Sequence, residues 1–175
     1  MLLQRLITAA MVAALAFAAC DDEPAGPRLE RAEVAGFYDL TVFTFDPQGL
    51  LPPLDLRARL GTQVPPRMIV TADGNLQLTV QDPATGLTVT ADGSFSTTAT
   101  GIIVTFAENA PFRDLLLSRS MEFEFSAADE TLSFSGQAPQ GVPRARLLAI
   151  APELADEQLL DPTPGMLQIV LERSS

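Results

Sequence analysis

The chain has no histidine, no lysine and no tryptophan, and it carries one tyrosine, Tyr38, and one cysteine, Cys20. Each absence removes a class of chemistry. Without histidine there is no Ser-His-Asp or Cys-His relay, and the usual zinc ligand is missing. Without lysine there is neither a Schiff base nor a phosphate-loop lysine. A lone cysteine forms no internal disulfide and no thiolate metal site. No Gly-x-Ser-x-Gly elbow or other nucleophile arrangement fills the gap. The expectation is a protein that is not an enzyme and uses no cofactor and no metal.

What is present begins with the N-terminus. Arg5 supplies a short positive region, and Leu6–Ala19 is uncharged and mostly apolar. That run fits a signal-peptide core and is short for a transmembrane helix. It ends in Phe17-Ala18-Ala19-Cys20, with small residues at the two positions before the cysteine. A signal peptidase needs such a narrow approach to the scissile bond. The segment resembles the lipobox of bacterial lipoproteins, with Phe17 standing where that family usually has leucine. The resemblance covers residues 1–20 only. It implies cleavage after Ala19, a diacylglycerol thioether on Cys20 and acylation of the new N-terminus. Several acyl chains anchor stably where one is marginal. Plain secretion with a cut near Ala19, or a retained helix, are the competing readings. Asp21 after the cysteine is similar to an inner-membrane retention signal in enterobacterial lipoproteins, and the choice of membrane stays open. Residues 20–32 are expected to form a lipidated tether.

Removing residues 1–19 leaves 156 residues, enough for one domain with a core. The 22 acidic residues then face 10 arginines, for a net charge near −12. So acidic a surface repels nucleic acid and anionic head groups. The expected partners are a membrane, through the lipid, and a small apolar ligand or an envelope protein, with no nucleic acid.

Residues 33–175 are read as an all-β domain. Phe37–Phe45 is a strand with Tyr38, Leu40 and Val42 on one face and Phe43 and Phe45 on the other. Leu54, Leu56 and Leu60 pack across a barrel end or form a short strand. Asp73-Gly74-Asn75 is a hairpin signal. Leu76, Leu78 and Val80 alternate with polar residues, as do Leu87, Val89 and Ala91. Asp92-Gly93 kinks or turns the chain before Ser94–Thr98, and Ile102–Phe106 follows. Leu115–Phe125 is a long strand candidate, with Met121, Phe123 and Phe125 on one face, and Leu132 and Phe134 continue the pattern. Arg144–Ile150 is a candidate strand and Pro152–Leu160 a short amphipathic helix. Met166–Glu172 ends the domain with Leu167, Ile169 and Leu171 on one face. Period-two alternation of this kind means one buried and one wet face.

Eight to ten such strands joined by tight turns predict an antiparallel meander closing into an approximately eight-stranded barrel, with a short helix near the C-terminus. A β-sandwich is the alternative. Gly36-Phe37-Tyr38-Asp39-Leu40, followed by the meander and a terminal strand, looks like the small bacterial lipocalin-like lipoproteins, whose barrels often open on Gly-x-Trp or Gly-x-Tyr. The resemblance spans about residues 33–173, with Tyr38 nearest to the family's tryptophan. A membrane-spanning barrel is not expected, because the strands are short and aromatics too few for two girdles.

Such a barrel either fills its centre or encloses one small ligand. Phe43, Phe45, Phe106, Met121, Phe123, Phe125 and Phe134 are the candidate lining residues. The paired carboxylates Glu122 and Glu124 and the Asp73-Gly74-Asn75 turn have the oxygen ligands of a cation site, but a solvated strand face and simple turn chemistry account for them better. The pairs Arg57 and Arg59, and Arg144 and Arg146, offer sites for an anionic ligand, but ion pairing with the acidic surface accounts for them better. A filled core is the favoured reading of the interior, and the predicted role is a membrane-anchored, non-enzymatic envelope lipoprotein that either binds a small apolar molecule in its barrel or serves as a structural or interaction module. The alternative is a β-sandwich module that contacts a protein partner.

Overall fold

The computed structural model describes residues 27–47, 51–60, 64–82, 85–111, 116–137 and 141–174. Cys20 and the signal segment lie outside the described residues. Among the described residues, nine strands form one antiparallel sheet: β1 (Gly36–Pro47), β2 (Leu54–Asp55), β3 (Arg67–Val70), β4 (Asn75–Gln81), β5 (Thr88–Thr97), β6 (Gly101–Phe106), β7 (Ser120–Ser126), β8 (Thr131–Gln137) and β9 (Gly165–Arg173). β1 pairs with β3 on one side and with β9 on the other, so the sheet closes into an eight-stranded barrel with β2 as an extra strand. The sandwich alternative is thereby set aside. Closure satisfies the ladder groups that an open sheet would leave at its edges.

One end, the base, carries the β3–β4, β5–β6 and β7–β8 turns. Residues 27–34 lie there too. Leu29 N donates to Thr98 O over 2.9 Å, and Arg31 opens the single-turn helix α1 (Arg31–Val34). Residues 27–32, expected as tether, are therefore bonded to the barrel's base. The other end carries the longer connections, the helix α2 (Arg144–Ile150) and two 3₁₀ turns, η1 (Arg57–Arg59) and η2 (Pro152–Asp156).

The core follows the period-two pattern. Leu76, Leu78 and Val80 of β4, Ile102 and Val104 of β6, Met121 and Phe123 of β7, and Leu167, Ile169 and Leu171 of β9 are all buried. β1 departs from the simple alternation. Leu40 pairs with Leu171 and Val42 with Val170, so Thr41 is an extra residue on β1. This β-bulge shifts the parity. Phe43 and Phe45 consequently join Tyr38 and Leu40 inside, and Val42 turns outward, which corrects the expected split between the two faces.

Four other expectations change. Arg144–Ile150 is helical, not extended. Its Arg, Ala and Leu residues are good helix formers, and the Asp161 carboxylate accepts from the free Arg144 amide at 3.0 Å. Leu147 and Ile150, three apart, then share the buried face. Pro152–Leu160 makes only the short turn η2, burying Leu154 and leaving Leu160 exposed. β7 starts at Ser120, with residues 116–119 outside any strand, and Leu115 lies outside the described residues. β5 runs unbroken through Gly93, and Leu87 lies before it, exposed.

Candidate functional site

The barrel wall has a seam. The four residues of β3 pair only with Gly36–Asp39 of β1, and the upper part of β1 pairs with β2 at Thr44 and Phe45. On β4 the register with β3 stops at Thr79, so Val80 and Gln81 pair with β5 alone. β2, η1 and Leu60 stand where β3 would continue. Arg57 Nε donates to Leu40 O over 2.7 Å and holds η1 against β1.

Beside this seam lies a cavity of about 30 Å³, lined by Leu40, Phe43, Leu60, Met68, Leu78, Val80, Leu117, Ile169 and Leu171. No lining residue is polar. A single water would fit by volume but would find no partner, so the space stays dry. Pockets for drug-sized ligands are about ten times larger or more.

The helix α2 and η2 cover this end, held on two sides. Arg59 of η1 is ion-paired with Glu153 and also donates to Ile150 O over 3.3 Å. Arg146 donates to Asp82, at the end of β4, over 3.2 Å. The second pair is mostly buried, with side-chain exposures of 17% and 11%. Its loss would leave a charge in a poorly solvated place, a costly change. Arg59 hydrogen-bonds the Glu153 carboxyl and holds it below its ordinary range.

Of the seven candidate lining residues, Phe43 borders this cavity. Phe45, Phe106, Met121 and Phe123 are buried in the packed core. The Phe123 and Phe134 rings meet at 5.7 Å between centroids with their planes tilted by 47°, and Phe134 is part-buried. Phe125 sits near the base under the Arg173 guanidinium. The phenylalanines therefore fill the barrel on one side, and the void is lined mainly by aliphatic residues. Glu122 and Glu124 are exposed on the outer wall. The Asp73 oxygens are used within the turn, accepting from Thr71 Oγ1, Asn75 N and Asn75 Nδ2. Those bonds, the Thr71 hydroxyl first, hold the Asp73 carboxyl below its usual value. Among the described residues no group of three or more acidic or cysteine side chains is placed to hold a metal ion.

At the base the sequence reading missed Arg173. Its guanidinium lies over Tyr38 at 5.4 Å and Phe125 at 5.7 Å. It donates to Tyr38 Oη over 3.0 Å and to Glu33 O, and pairs with Glu130 at 3.4 Å. Tyr38 Oη in turn donates to Val34 O over 2.8 Å. A Cβ on Gly36 would meet Arg173 Nε at 2.9 Å, so the glycine two before Tyr38 makes room for the arginine. The signal was parity: Arg173 follows Leu167, Ile169 and Leu171 on the inward face.

Burial holds the Tyr38 phenol above 10.0, against the lowering effect of Arg173. A raised value in the folded state means that folding favours the neutral phenol. The contribution is complete below pH 10.0 and is lost as pH rises through the folded value. With one tyrosine and no tryptophan, absorbance at alkaline pH reads this group alone. The native midpoint is expected above that of the urea-unfolded chain, and Arg173→Met is expected to raise it further. Equal native and unfolded midpoints would contradict the buried placement.

Compared with known proteins, the chain matches no family model, no curated protein and no solved structure.

Proposed function

We propose that this chain is a lipoprotein of the bacterial cell envelope, held to a membrane by lipid on Cys20, with a non-enzymatic barrel domain like those of the small lipocalin-like lipoproteins. The observation that carries the reading is Phe17-Ala18-Ala19-Cys20 placed just ahead of a closed barrel whose outer wall is charged. Asp92, Glu122, Glu124 and Glu172 are all exposed on that wall. Charges there disfavour a lipid-embedded barrel, so attachment needs a separate anchor. Among the described residues, no helix is long and apolar enough to cross a membrane.

Cys20→Ser is expected to abolish labelling by radioactive palmitate and to release the protein from the membrane fraction. Retained labelling would overturn the lipid assignment.

Binding of a small apolar ligand is the second reading, favoured by the dry cavity beside the seam. Its size of about 30 Å³ requires the cover or Leu60 to move before a ligand enters. Native mass spectrometry of the mature lipoprotein in detergent tests this. A reproducible added mass, lost on denaturation and absent from a Leu60→Trp variant, is expected for a lumen ligand. The bare mass throughout would place the protein's contacts on its outer surface.

A further inference from the structure

From the anchor proposed above and the path of the chain, we infer that the barrel stands with its base towards the bilayer and its α2–η2 cover at the far end. Among the described residues, the chain from residue 27 meets the barrel at the base. Leu29 bonds Thr98 in the β5–β6 turn, Arg31 Nη1 donates to Asp73 O in the β3–β4 turn over 3.1 Å, and Glu33 and Val34 bond Arg173 and Tyr38. Residues 27–34 thus cross the base and are fastened to three sectors of its rim.

Reach decides the orientation. Six residues lie between Cys20 and Pro27, so seven residue-to-residue steps join them, and a chain of that length spans at most about 25 Å fully drawn out. A relaxed flexible chain of seven residues spans about 15 Å. The nine residues of β9, at about 3.3 Å each and tilted about 40°, give the barrel a height of roughly 23 Å. The cover adds to that height. Placing the cover on the bilayer would need the anchor segment stretched to its limit along the whole wall. Placing the base there needs no stretch.

The surface at the base suits close approach without demanding it. Phe37, 53% exposed, faces outward from β1 beside its cross-strand neighbour Ile69. An aromatic ring at that level can enter the head-group region. Arg28 and Arg31 are exposed there, but so are Glu30, Glu33, Asp129 and Glu130. Charge at the base is mixed, so the chain's reach sets the orientation and added salt should leave it in place. Leu87 and Leu160, the most exposed large apolar residues among those described, lie at the cover end and face away from the lipid.

The test uses the full lipidated chain. Its only native cysteine is Cys20, which the lipid blocks, so single cysteines can be labelled elsewhere. Phe37→Cys and Ala128→Cys mark the base; Leu87→Cys and Leu160→Cys mark the cover end. Each carries an environment-sensitive fluorophore in phosphatidylethanolamine–phosphatidylglycerol vesicles containing head-group spin-labelled lipid. Quenching is expected to be several-fold stronger at both base positions than at both cover positions, at low and high salt. Stronger quenching at the cover end, or equal quenching at all four, would overturn the orientation. Protein that fails to float with the vesicles would overturn the anchor itself, a result distinct from a wrong orientation.

Discussion

Replacing Phe123 by aspartate is expected to unfold the domain at room temperature. Phe123 is 3% exposed, faces inward from β7 and packs against Phe134. The substitution removes an aromatic side chain, a change worth about 3–5 kcal/mol when the site empties. It also places a carboxylate among apolar neighbours, costing several kcal/mol more even if the acid protonates. Domains of this size are stable by about 5–15 kcal/mol, so the two losses together consume most or all of the margin. Loss of the β-sheet circular dichroism signal and of a cooperative urea transition is the expected reading. Near-native stability would mean that the inward and outward faces of β7 are reversed. Phe123→Leu keeps most of the volume and is expected to remain folded, which separates a charge effect from general intolerance.

Gly101→Ala is expected to be the most damaging addition of one methyl group. A Cβ at this position would lie 1.9 Å from the Phe123 carbonyl oxygen and 3.0 Å from Glu124 Cα. Both are backbone atoms of β7, paired with β6 across Gly101–Glu124. No rotamer change relieves such a contact. β6 and β7 must separate beside the bond from Phe125 N to Thr100 O, 2.9 Å long, next to the β5–β6 turn that Thr98 N closes on Gly101 O over 2.8 Å. Overpacking costs of about 1–3 kcal/mol assume that side chains can yield; here the backbone must, so about 3 kcal/mol or more is expected. Chemical denaturation of the variant beside the native protein measures it, and a shift under about 0.5 kcal/mol, the size of an ordinary surface change, would show that β6 and β7 approach less closely.

Much of the barrel was legible in the sequence because a half-buried strand writes its two faces as alternating residues. Leu76, Leu78 and Val80, and Leu167, Ile169 and Leu171, announce their strands in this way, and Asp73-Gly74-Asn75 announces the turn between β3 and β4. Where a segment is short and mostly apolar, with arginines only in its first three positions, period two and period 3.6 look alike. Arg144–Ile150 therefore passed for a strand, although its helix depends on Asp161, far along the chain, to satisfy the Arg144 amide. The bulge at Thr41 was hidden for a similar reason. Thr41 fits either face, and only the pairing of β1 with β9 shows that it is the extra residue.

The candidate site was less legible. Phe45, Phe106, Met121 and Phe123 are buried and Phe43 alone of the seven candidates borders the void, because a cavity is what remains after packing and no residue type encodes it. The arginines read as surface ion-pair partners divide into several roles. Arg57 bonds a carbonyl of β1, and Arg59 and Arg146 fasten the cover. Arg173 closes the base against Tyr38.

By itself the sequence determined which residue types are missing, the apolar segment running up to Cys20, the excess of acidic residues and the alternation that makes an antiparallel sheet. Those properties are local or additive, so they need no knowledge of neighbours. Only the tertiary structure decided that β3 stops short of the upper wall, that α2 and η2 cover that end, and that Arg173 meets Tyr38 across 135 residues of chain. Each depends on contacts between distant segments, where backbone bonds, volume and burial must be satisfied together.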